Sequence, residues 1–350
     1  MPARIFEVLD TIRPALTIAS GVLAAAASYY VERTCARRGL LPPGFRVFWR
    51  RSLAFMLLAA LFWVAVFGPL ALIGTASKAE VDFKQVSTLD LFGLQMLLAF
   101  TTLSWFGLGF AVRPRSRPVP QVAEISEIAE VPELAEDILP QIPTDISDGQ
   151  DEILFETQNL EPEPVPASVP AEAGPALDPP VRLSLGRQFA AQLGFRAPKP
   201  FAEVGFGLVA GFAIWFAVLA AMFLVAVVVA SLGGERFLPT QAPAMIPWMA
   251  GLPLIIRLLL SLSAGFVEET FFRGLLQPRV GIAFSTACFV LAHAAYGSPF
   301  LLVGVTLLSL IYAFLVRWRQ NLWPAIAAHA LFDGIQLLVV IPAALRFMKP

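Results

Sequence analysis

Three short polar patterns stand out in an otherwise apolar chain, and the first holds two adjacent carboxylates. The stretch SAGFVEETFFRG carries Glu268, Glu269 and Arg273. Residues four apart lie on one face of a helix, so Glu269 can pair with Arg273, whereas Glu268 is offset by about 100°. One carboxylate can thus be neutralised while its neighbour lies in a low-dielectric site, which is the environment of a general base.

The two histidines of the chain fall in the other two patterns. His329 and Asp333 are four residues apart in AIAAHALFDG and share a helix face, and His293 follows Phe289 by one turn in FVLAH. Two imidazoles and a carboxylate can bind zinc with one position open for water. Without a metal, the same groups can activate a water and stabilise an oxyanion. Both routes lead to hydrolysis.

Each pattern also has a simpler structural interpretation. Glu269 with Arg273 could be an ion pair that only holds helices together. A single histidine in a membrane helix more often makes a helix–helix hydrogen bond than it binds a ligand. Asp333 could pair with Arg317 or Arg319. The three patterns together favour a functional site, because they collect both histidines and three of the five acids after residue 200.

The segments around these residues are apolar enough to cross a membrane. Of the 350 residues, 57% are hydrophobic and 15% are charged, whereas soluble domains have about a quarter charged residues. A helix spans the bilayer core with about 20 apolar residues, so the sequence predicts an all-α, polytopic transmembrane bundle of about eight helices. The predicted spans are 14–31, 52–74, 89–112, 203–232, 248–270, 281–297, 299–316 and 322–345.

Residues 113–200 differ from the rest of the chain. They hold 15 of the 29 prolines and 15 of the 26 acids, and such a composition buries too little apolar surface to offset the ordering entropy. We expect a disordered, acidic, Pro-rich linker between a three-helix unit, 1–112, and a five-helix unit, 201–350. A solvated spacer is the favoured role; docking of EISEIAEVPELAEDIL on a cytoplasmic partner is the alternative.

Basic residues near the helix ends predict the orientation. Loop 32–51 carries six arginines and the start of the linker three more, which places both in the cytoplasm. We expect an integral, multi-pass protein of a plasma membrane or a bacterial inner membrane. The same rule puts Glu268 near the cytoplasmic end of its span and His293 about 20 Å deeper. The site can then form only if the helix that carries His293 starts later or tilts, or if residues 274–284 lie along the membrane interface.

The patterns EETFFR, FVLAH and HALFD resemble the three signatures of the CPBP (Abi) family, the CAAX-protease and bacteriocin-processing intramembrane proteases. Those signatures read Glu-Glu-x-x-x-Arg, Phe-x-x-x-His and His-x-x-x-Asn or Asp, and the resemblance covers roughly residues 250–340. It implies an intramembrane metalloprotease similar to type II CAAX prenyl endopeptidases, with a peptide or lipidated-protein substrate. Membrane lipids are the other expected partners, and no nucleic acid is expected.

The resemblance also implies roles for individual residues. Glu268 corresponds to the water-activating base, assisted by His293. His329 and Asp333 correspond to groups that stabilise the oxyanion or hold a metal. The supporting residues are Glu269, Arg273 and Phe289.

Alternative hypotheses remain for both the cofactor and the activity. A divalent metal, zinc, would draw its ligands from Glu268, His293, His329 and Asp333, whereas a metal-free glutamate mechanism needs no ion. Asp333 stands where many members have Asn, which slightly favours the metal. A non-catalytic membrane scaffold or bacteriocin-immunity-type protein of the same fold is the second hypothesis. A proton-coupled transporter is the third, because buried Glu, His and Asp also form proton relays, but no internal repeat supports it.

Overall fold

The computed structural model describes residues 2–69, 87–110, 185–234, 237–238, 245–294 and 298–347. Within these ranges nearly every residue is helical and none lies in a strand. Six of the described helices are long and apolar enough to cross a membrane. The predicted all-α, polytopic bundle is therefore confirmed, and the protein is an integral membrane protein.

The described helices follow one another in this order along the chain. First come α1 (Pro2–Arg37), a 3₁₀ turn (Pro43–Arg46), α2 (Phe48–Leu61) with a π-helical continuation (Phe62–Phe67), and α3 (Thr88–Phe110). Next are α4 (Leu185–Gln192), α5 (Pro200–Ser231) and α6 (Met245–Gly251). Helix α7 (Leu254–Ser263) continues through two π-helical segments (Ala264–Glu268 and Thr270–Leu276) into α8 (Gln277–Val280). The chain then forms α9 (Ile282–Ala292), α10 (Pro299–Arg319) and α11 (Trp323–Ile335), which continues through a π-helical segment (Gln336–Val340) into α12 (Ile341–Phe347).

Two of the predicted spans have different bounds in the structure. In place of the span predicted at 248–270, a helical run begins at Leu254 and continues past the predicted end to Val280. The span predicted at 281–297 is the 11-residue helix α9. Arg273 and Arg279 suggested a cytoplasmic helix end, yet they are only 2% and 5% exposed. The helix continues past them because other side chains of the bundle surround both guanidinium groups.

A tight turn at Gly281 joins the two helices that carry the first two motifs. Its φ of 90° is a conformation that favours glycine. Glu268 lies 13 residues before this turn (281 − 268) and His293 lies 12 after it (293 − 281). At 1.5 Å per residue, both are about 18–20 Å from the turn. The expected difference in depth was therefore wrong, because the first helix ends later than its arginines suggested.

Helices from both ends of the chain share one hydrophobic core. The described helices within 1–113 and 183–350 form one compact unit. Phe62 of the α2 continuation and Phe284 of α9 have ring centroids 6.4 Å apart. The shared core includes Phe55, Leu58, Trp105, Phe106, Phe271, Phe272, Leu276 and Phe289. Whether 1–112 and 201–350 also fold separately, as the predicted division implies, stays a prediction.

The last residues of the predicted linker belong to this core. Helix α4 places the Phe189 ring 4.8 Å from that of Phe106, edge to face, and Leu193 is 4% exposed. The backbone nitrogen of Leu322 donates to the carbonyl of Gly194 at 3.1 Å. Apolar side chains thus anchor residues 185–200 despite the acidic composition before them. The rest of the predicted linker, and the partner-docking helix proposed within it, lie outside the described residues.

Close backbone packing brings the first and third motifs together. A Cβ atom added at Gly265 would lie 2.8 Å from the Cβ of Ala330, so the α7 continuation lies directly against α11. On another side of α11, Cβ atoms at Gly207 and Gly211 of α5 would meet the α11 backbone at 2.5 and 2.7 Å. Small residues that let helices approach this closely are typical of membrane bundles. They position the helix that carries His329.

Candidate active site

The adjacent carboxylates lie at the junction of two π-helical segments. The first segment ends at Glu268, and the second begins immediately after Glu269. Insertions of this kind widen a helical turn and occur frequently at functional sites. Every residue from Glu268 to Leu276 is buried. Both carboxylates therefore lie inside the bundle.

Glu269 is held by two basic side chains on one oxygen. Its Oε1 accepts a hydrogen bond from Nη1 of Arg273 at 2.9 Å, and it lies 2.8 Å from Nδ1 of His329. The glutamate side chain is 0% exposed. The predicted Glu269–Arg273 pair is confirmed. The contact with His329, which is 60 residues further along the chain, joins the first motif to the third.

The guanidinium of Arg273 is surrounded by partners on α9 and α10. Its Nη2 donates to the carbonyl and to Oγ of Ser309, at 3.2 and 3.1 Å. The Ser309 hydroxyl in turn donates to Oγ1 of Thr286 at 3.2 Å. The Phe289 ring lies face-on, with its centroid 4.3 Å from the guanidinium carbon, an attractive cation–π distance. A buried charge with this many partners is well compensated.

His329 lies between two carboxylates. Its Nδ1 faces Glu269, and its Nε2 lies 3.5 Å from Oδ2 of Asp333. Each ring nitrogen can therefore direct an N–H at a carboxylate oxygen. The imidazole also stacks on the Tyr312 ring, with centroids 5.1 Å apart and planes 19° apart. The orientation of His329 is thus set by three side chains.

Glu268 faces His293 instead. Their Oε2 and Nε2 atoms are 4.0 Å apart. Nδ1 of His293 lies 2.8 Å from the Phe289 carbonyl, which can only accept, so this nitrogen carries a proton and Nε2 faces the glutamate. Among the described residues, Oε2 of Glu268 is buried without a hydrogen-bond partner. A water about 2.8 Å from both atoms would bridge them.

A small cavity adjoins this second pair. Its volume is about 10 Å³, close to the minimum that holds one water molecule. Glu268 and His293 line it together with apolar residues of α2 and its continuation, of α3, of the second π-helical segment and of α9. A buried carboxylate oxygen without a partner calls for an explanation, such as a catalytic role or a bound water.

The four candidate metal ligands do not converge on one point. Over the described ranges, no three His, Cys, Asp or Glu side chains form a group that could hold a metal ion. Both nitrogens of His329 face carboxylates, so neither directs a lone pair toward an ion shared with His293. As positioned, Glu268, His293, His329 and Asp333 do not fit a metal. Metal dependence stays a prediction, and no step proposed below passes through an ion.

The predicted residues thus form two adjoining groups, and two further side chains join them. Ser309 and Tyr312, which the three motifs do not include, contact Arg273 and His329. Their spacing of three on one face of an apolar helix is the signal that could have found them. The alternative pairing of Asp333 with Arg319 is not seen, because Nε of Arg319 donates to Glu203 at 3.1 Å.

Known proteins resemble part of this chain. Residues 250–335 match the family model described as type II CAAX prenyl endopeptidase Rce1-like. Uncharacterized protein YpbD of Bacillus subtilis (strain 168) is 34% identical over 77 residues, which are 22% of this chain and 41% of that protein. The alignment therefore covers less than half of this relative's length. No solved structure matches the chain. The resemblance inferred from the motifs is confirmed.

Proposed function

We propose that this chain, with its Rce1-like segment 250–335, is a membrane-embedded endopeptidase that hydrolyses peptide bonds of a membrane-associated or lipidated substrate. The match supports the general class, a membrane endopeptidase of the CAAX-protease type. The observation that most supports the chemistry is the pair formed by Glu268 and His293. Its Oε2 is buried and, among the described residues, without a hydrogen-bond partner, and it faces Nε2 of the imidazole across 4.0 Å, a gap that one water can bridge.

Glu268, rather than Glu269, is the base in this proposal. Glu269 already accepts from Arg273 and contacts His329 through Oε1, so protonation of this carboxylate would remove the negative charge that holds both basic groups, even though its Oε2 has no hydrogen-bond partner among the described residues. Glu268 has its oxygen directed at His293 across 4.0 Å. A base needs to reach the proton that it removes, directly or through one water. Only the Glu268 side of the site provides that arrangement.

The proposed reaction balances with these residues alone. Glu268 takes a proton from a water that His293 orients, and the water oxygen attacks the carbonyl carbon of the scissile peptide. His329 stabilises the oxyanion through Nε2, which lies 3.5 Å from Asp333 and can share its N–H with the new negative charge. The carbon–nitrogen bond then breaks, and the proton held by Glu268 passes to the leaving amine. Asp333 and Glu269 keep the His329 ring in place during these steps.

The test is cleavage of a panel of fluorogenic lipidated peptides by the purified full-length protein. Glu268→Gln removes the base and keeps the shape, and Glu203→Gln is a matched control because Glu203 pairs with Arg319 away from the site. We expect cleavage by the wild type and by Glu203→Gln, and a loss of about 100-fold or more in Glu268→Gln. Equal cleavage by all three forms would refute the assignment of Glu268.

A protein that cleaves nothing would favour the other candidate functions. If the wild type is folded yet inactive on lipidated and unmodified peptides and on membrane-protein segments, the endopeptidase proposal fails. The same fold would then act as a non-catalytic scaffold or an immunity-type protein. In that case Glu268→Gln should leave its biological activity unchanged, whereas loss of the Glu269–Arg273 pair should abolish it through misfolding.

A further inference from the structure

The helical run that carries the two glutamates pairs with α9 in one consistent register. At one level Oε2 of Glu268 faces Nε2 of His293 at 4.0 Å. Four residues closer to the turn on each helix, the rings of Phe272 and Phe289 lie 5.0 Å apart, edge to face. The two helices therefore run in opposite directions from the turn at Gly281, and a contact near the turn determines which residues meet further away.

Ser285 makes such a contact close to the turn. Its hydroxyl donates to the carbonyl of Phe272 at 2.7 Å, and the residue is 2% exposed. Ser285, Phe289 and His293 follow one another at intervals of four, so successive members lie on one side of α9. That side of α9 thus presents a hydroxyl, an aromatic ring and an imidazole to the run that carries Glu268.

The acceptor of this bond belongs to the second π-helical segment, Thr270–Leu276. A widened turn changes which backbone N–H groups reach each carbonyl, and buried carbonyl groups require donors. The Leu275 carbonyl of the same segment accepts from Nη1 of Arg279 at 2.6 Å, but Arg279 continues the same helical run. The bond from Ser285 instead comes from another helix, so it fixes the π-helical segment relative to α9.

The register matters because the gap between the reactive groups is narrow. Neighbouring residues of a helix differ in height by about 1.5 Å. The 4.0 Å between Glu268 and His293 suits one bridging water at about 2.8 Å from each atom. A shift of α9 by less than one residue would break this bridge, and a displacement of about 1 Å can lower a rate about 100-fold.

We propose that Ser285 is a positioning residue, whose hydrogen bond to the Phe272 carbonyl sets the gap between Glu268 and His293. The proposal rests on the proposed endopeptidase function and adds to it a residue outside the three sequence patterns. Ser285 acts through the position of the imidazole and is not itself a catalytic residue. Its loss should therefore affect the chemical step and leave substrate binding unchanged.

The first experiment compares two buried serines by peptide cleavage. Ser285→Ala removes the bond between the helices. Ser261→Ala is the matched control, because Ser261 is 1% exposed and donates to the Arg257 carbonyl of its own helix at 2.9 Å. We expect kcat of Ser285→Ala to fall about 10- to 100-fold with KM nearly unchanged, and Ser261→Ala to retain both values. Equal kcat in the two variants, or a rise in KM alone, would overturn the proposal.

A second measurement does not depend on peptidase activity. The chain has two histidines, so isotope-labelled histidine gives nuclear magnetic resonance signals from two imidazoles, and His329→Gln assigns them. Ring-nitrogen shifts report the hydrogen bonds of each ring. Ser285→Ala should move the signals of His293 and leave those of His329 in place, because the two carboxylates beside His329 remain. Ser261→Ala should move neither set.

The two measurements separate the possible failures. If the wild type cleaves no peptide, the endopeptidase proposal fails, while the ring-nitrogen signals still decide whether Ser285 sets the position of His293. If Ser285→Ala does not fold, Ser285→Cys, which is similar in size and has a weaker S–H donor, undergoes the same two measurements. Wild-type signals of His293 in the folded variant, or equal movement of both histidines, would overturn the proposal whatever the activity.

Discussion

Glu268 and Glu269 are neighbours in the sequence, and both are buried, yet their surroundings are opposite. Glu269 lies in a solid part of the bundle, where Arg273 and His329 contact its Oε1 and its Oε2 has no hydrogen-bond partner among the described residues. Glu268 lies beside a cavity, where its Oε2 has no hydrogen-bond partner in the described part of the chain and faces His293 at 4.0 Å. The two side chains leave the helix in directions that differ by about 100°, and this difference separates the two environments.

The difference teaches how one helix can combine stability with reactivity. A buried carboxylate that is paired and hydrogen-bonded helps to define the packing around it. A buried carboxylate that no arginine neutralises destabilises the fold, and an explanation in terms of a ligand or a reaction is then required. The Glu269 side therefore supports the geometry that the Glu268 side uses. Four predictions test this division of roles.

The largest expected effect is on catalysis, from Glu268→Gln. General bases contribute about 100- to 10,000-fold to the rate, so kcat should fall by that amount. The thermal unfolding midpoint should stay close to the wild-type value, because no described hydrogen bond to Oε2 is lost. Activity assays and thermal unfolding in the same detergent provide both numbers. A large loss of stability without a specific loss of kcat would show that Glu268 supports the fold, as Glu269 does, and is not the base.

The next effect is on stability, from Arg273→Ala. This change leaves Glu269 buried without its charged partner, and breaking a buried pair in this way costs about 3–5 kcal/mol. Arg319→Ala removes another arginine–glutamate pair, with Glu203, at an exposed place where little change is expected. Reversible unfolding in mixed micelles measures the difference. Equal stabilities of the two variants would show that the Glu269 side does not hold the bundle together.

A smaller effect is expected at Tyr312, which stacks on His329. Tyr312→Leu removes the ring stack and should destabilise the protein by about 0.5–1.5 kcal/mol beyond the lost buried area. Tyr312→Phe keeps the stack and removes a hydroxyl that has no hydrogen-bond partner within the described structure. We expect Tyr312→Phe to retain both stability and kcat. A marked fall of kcat in Tyr312→Phe would instead assign the hydroxyl a direct role in the reaction.

The smallest expected effect is that of metal removal. Since the described His, Asp and Glu side chains form no group of three that could hold an ion, we expect a zinc chelator to leave peptidase activity within about twofold of the untreated value. Chelator-treated protein with and without added zinc provides the comparison. Loss of activity that zinc restores would show that the Glu268–His293 pair and the group around His329 rearrange around an ion.

Much of this architecture was predictable because it depends on local geometry. Apolar runs longer than the bilayer core require helices, which predicted the polytopic bundle. The Glu269–Arg273 pair followed from a spacing of four residues on one helix. The order and spacing of the three motifs were sufficient to identify the Rce1-like segment. Each of these features depends on residues close together in the sequence.

Other features depended on where the helices end. The positive charges of Arg273 and Arg279 indicated a helix boundary, but both side chains are buried by aromatic and polar partners from other helices. The helix therefore reaches Val280, and the turn at Gly281 brings Glu268 and His293 to the same level. A rule based on loop charge could not anticipate this, because it assumes that arginines lie at the membrane surface.

The sequence by itself thus determined the helices, the reactive residue types and the contacts within one helix, since the helical repeat defines which side chains are neighbours. Only the tertiary structure decided which glutamate meets which histidine and which N-terminal residues line the cavity. Those contacts join helices that are tens to hundreds of residues apart. They depend on the turn at Gly281, on the close approach at Gly265 and on the packing of one shared core, which no local spacing specifies.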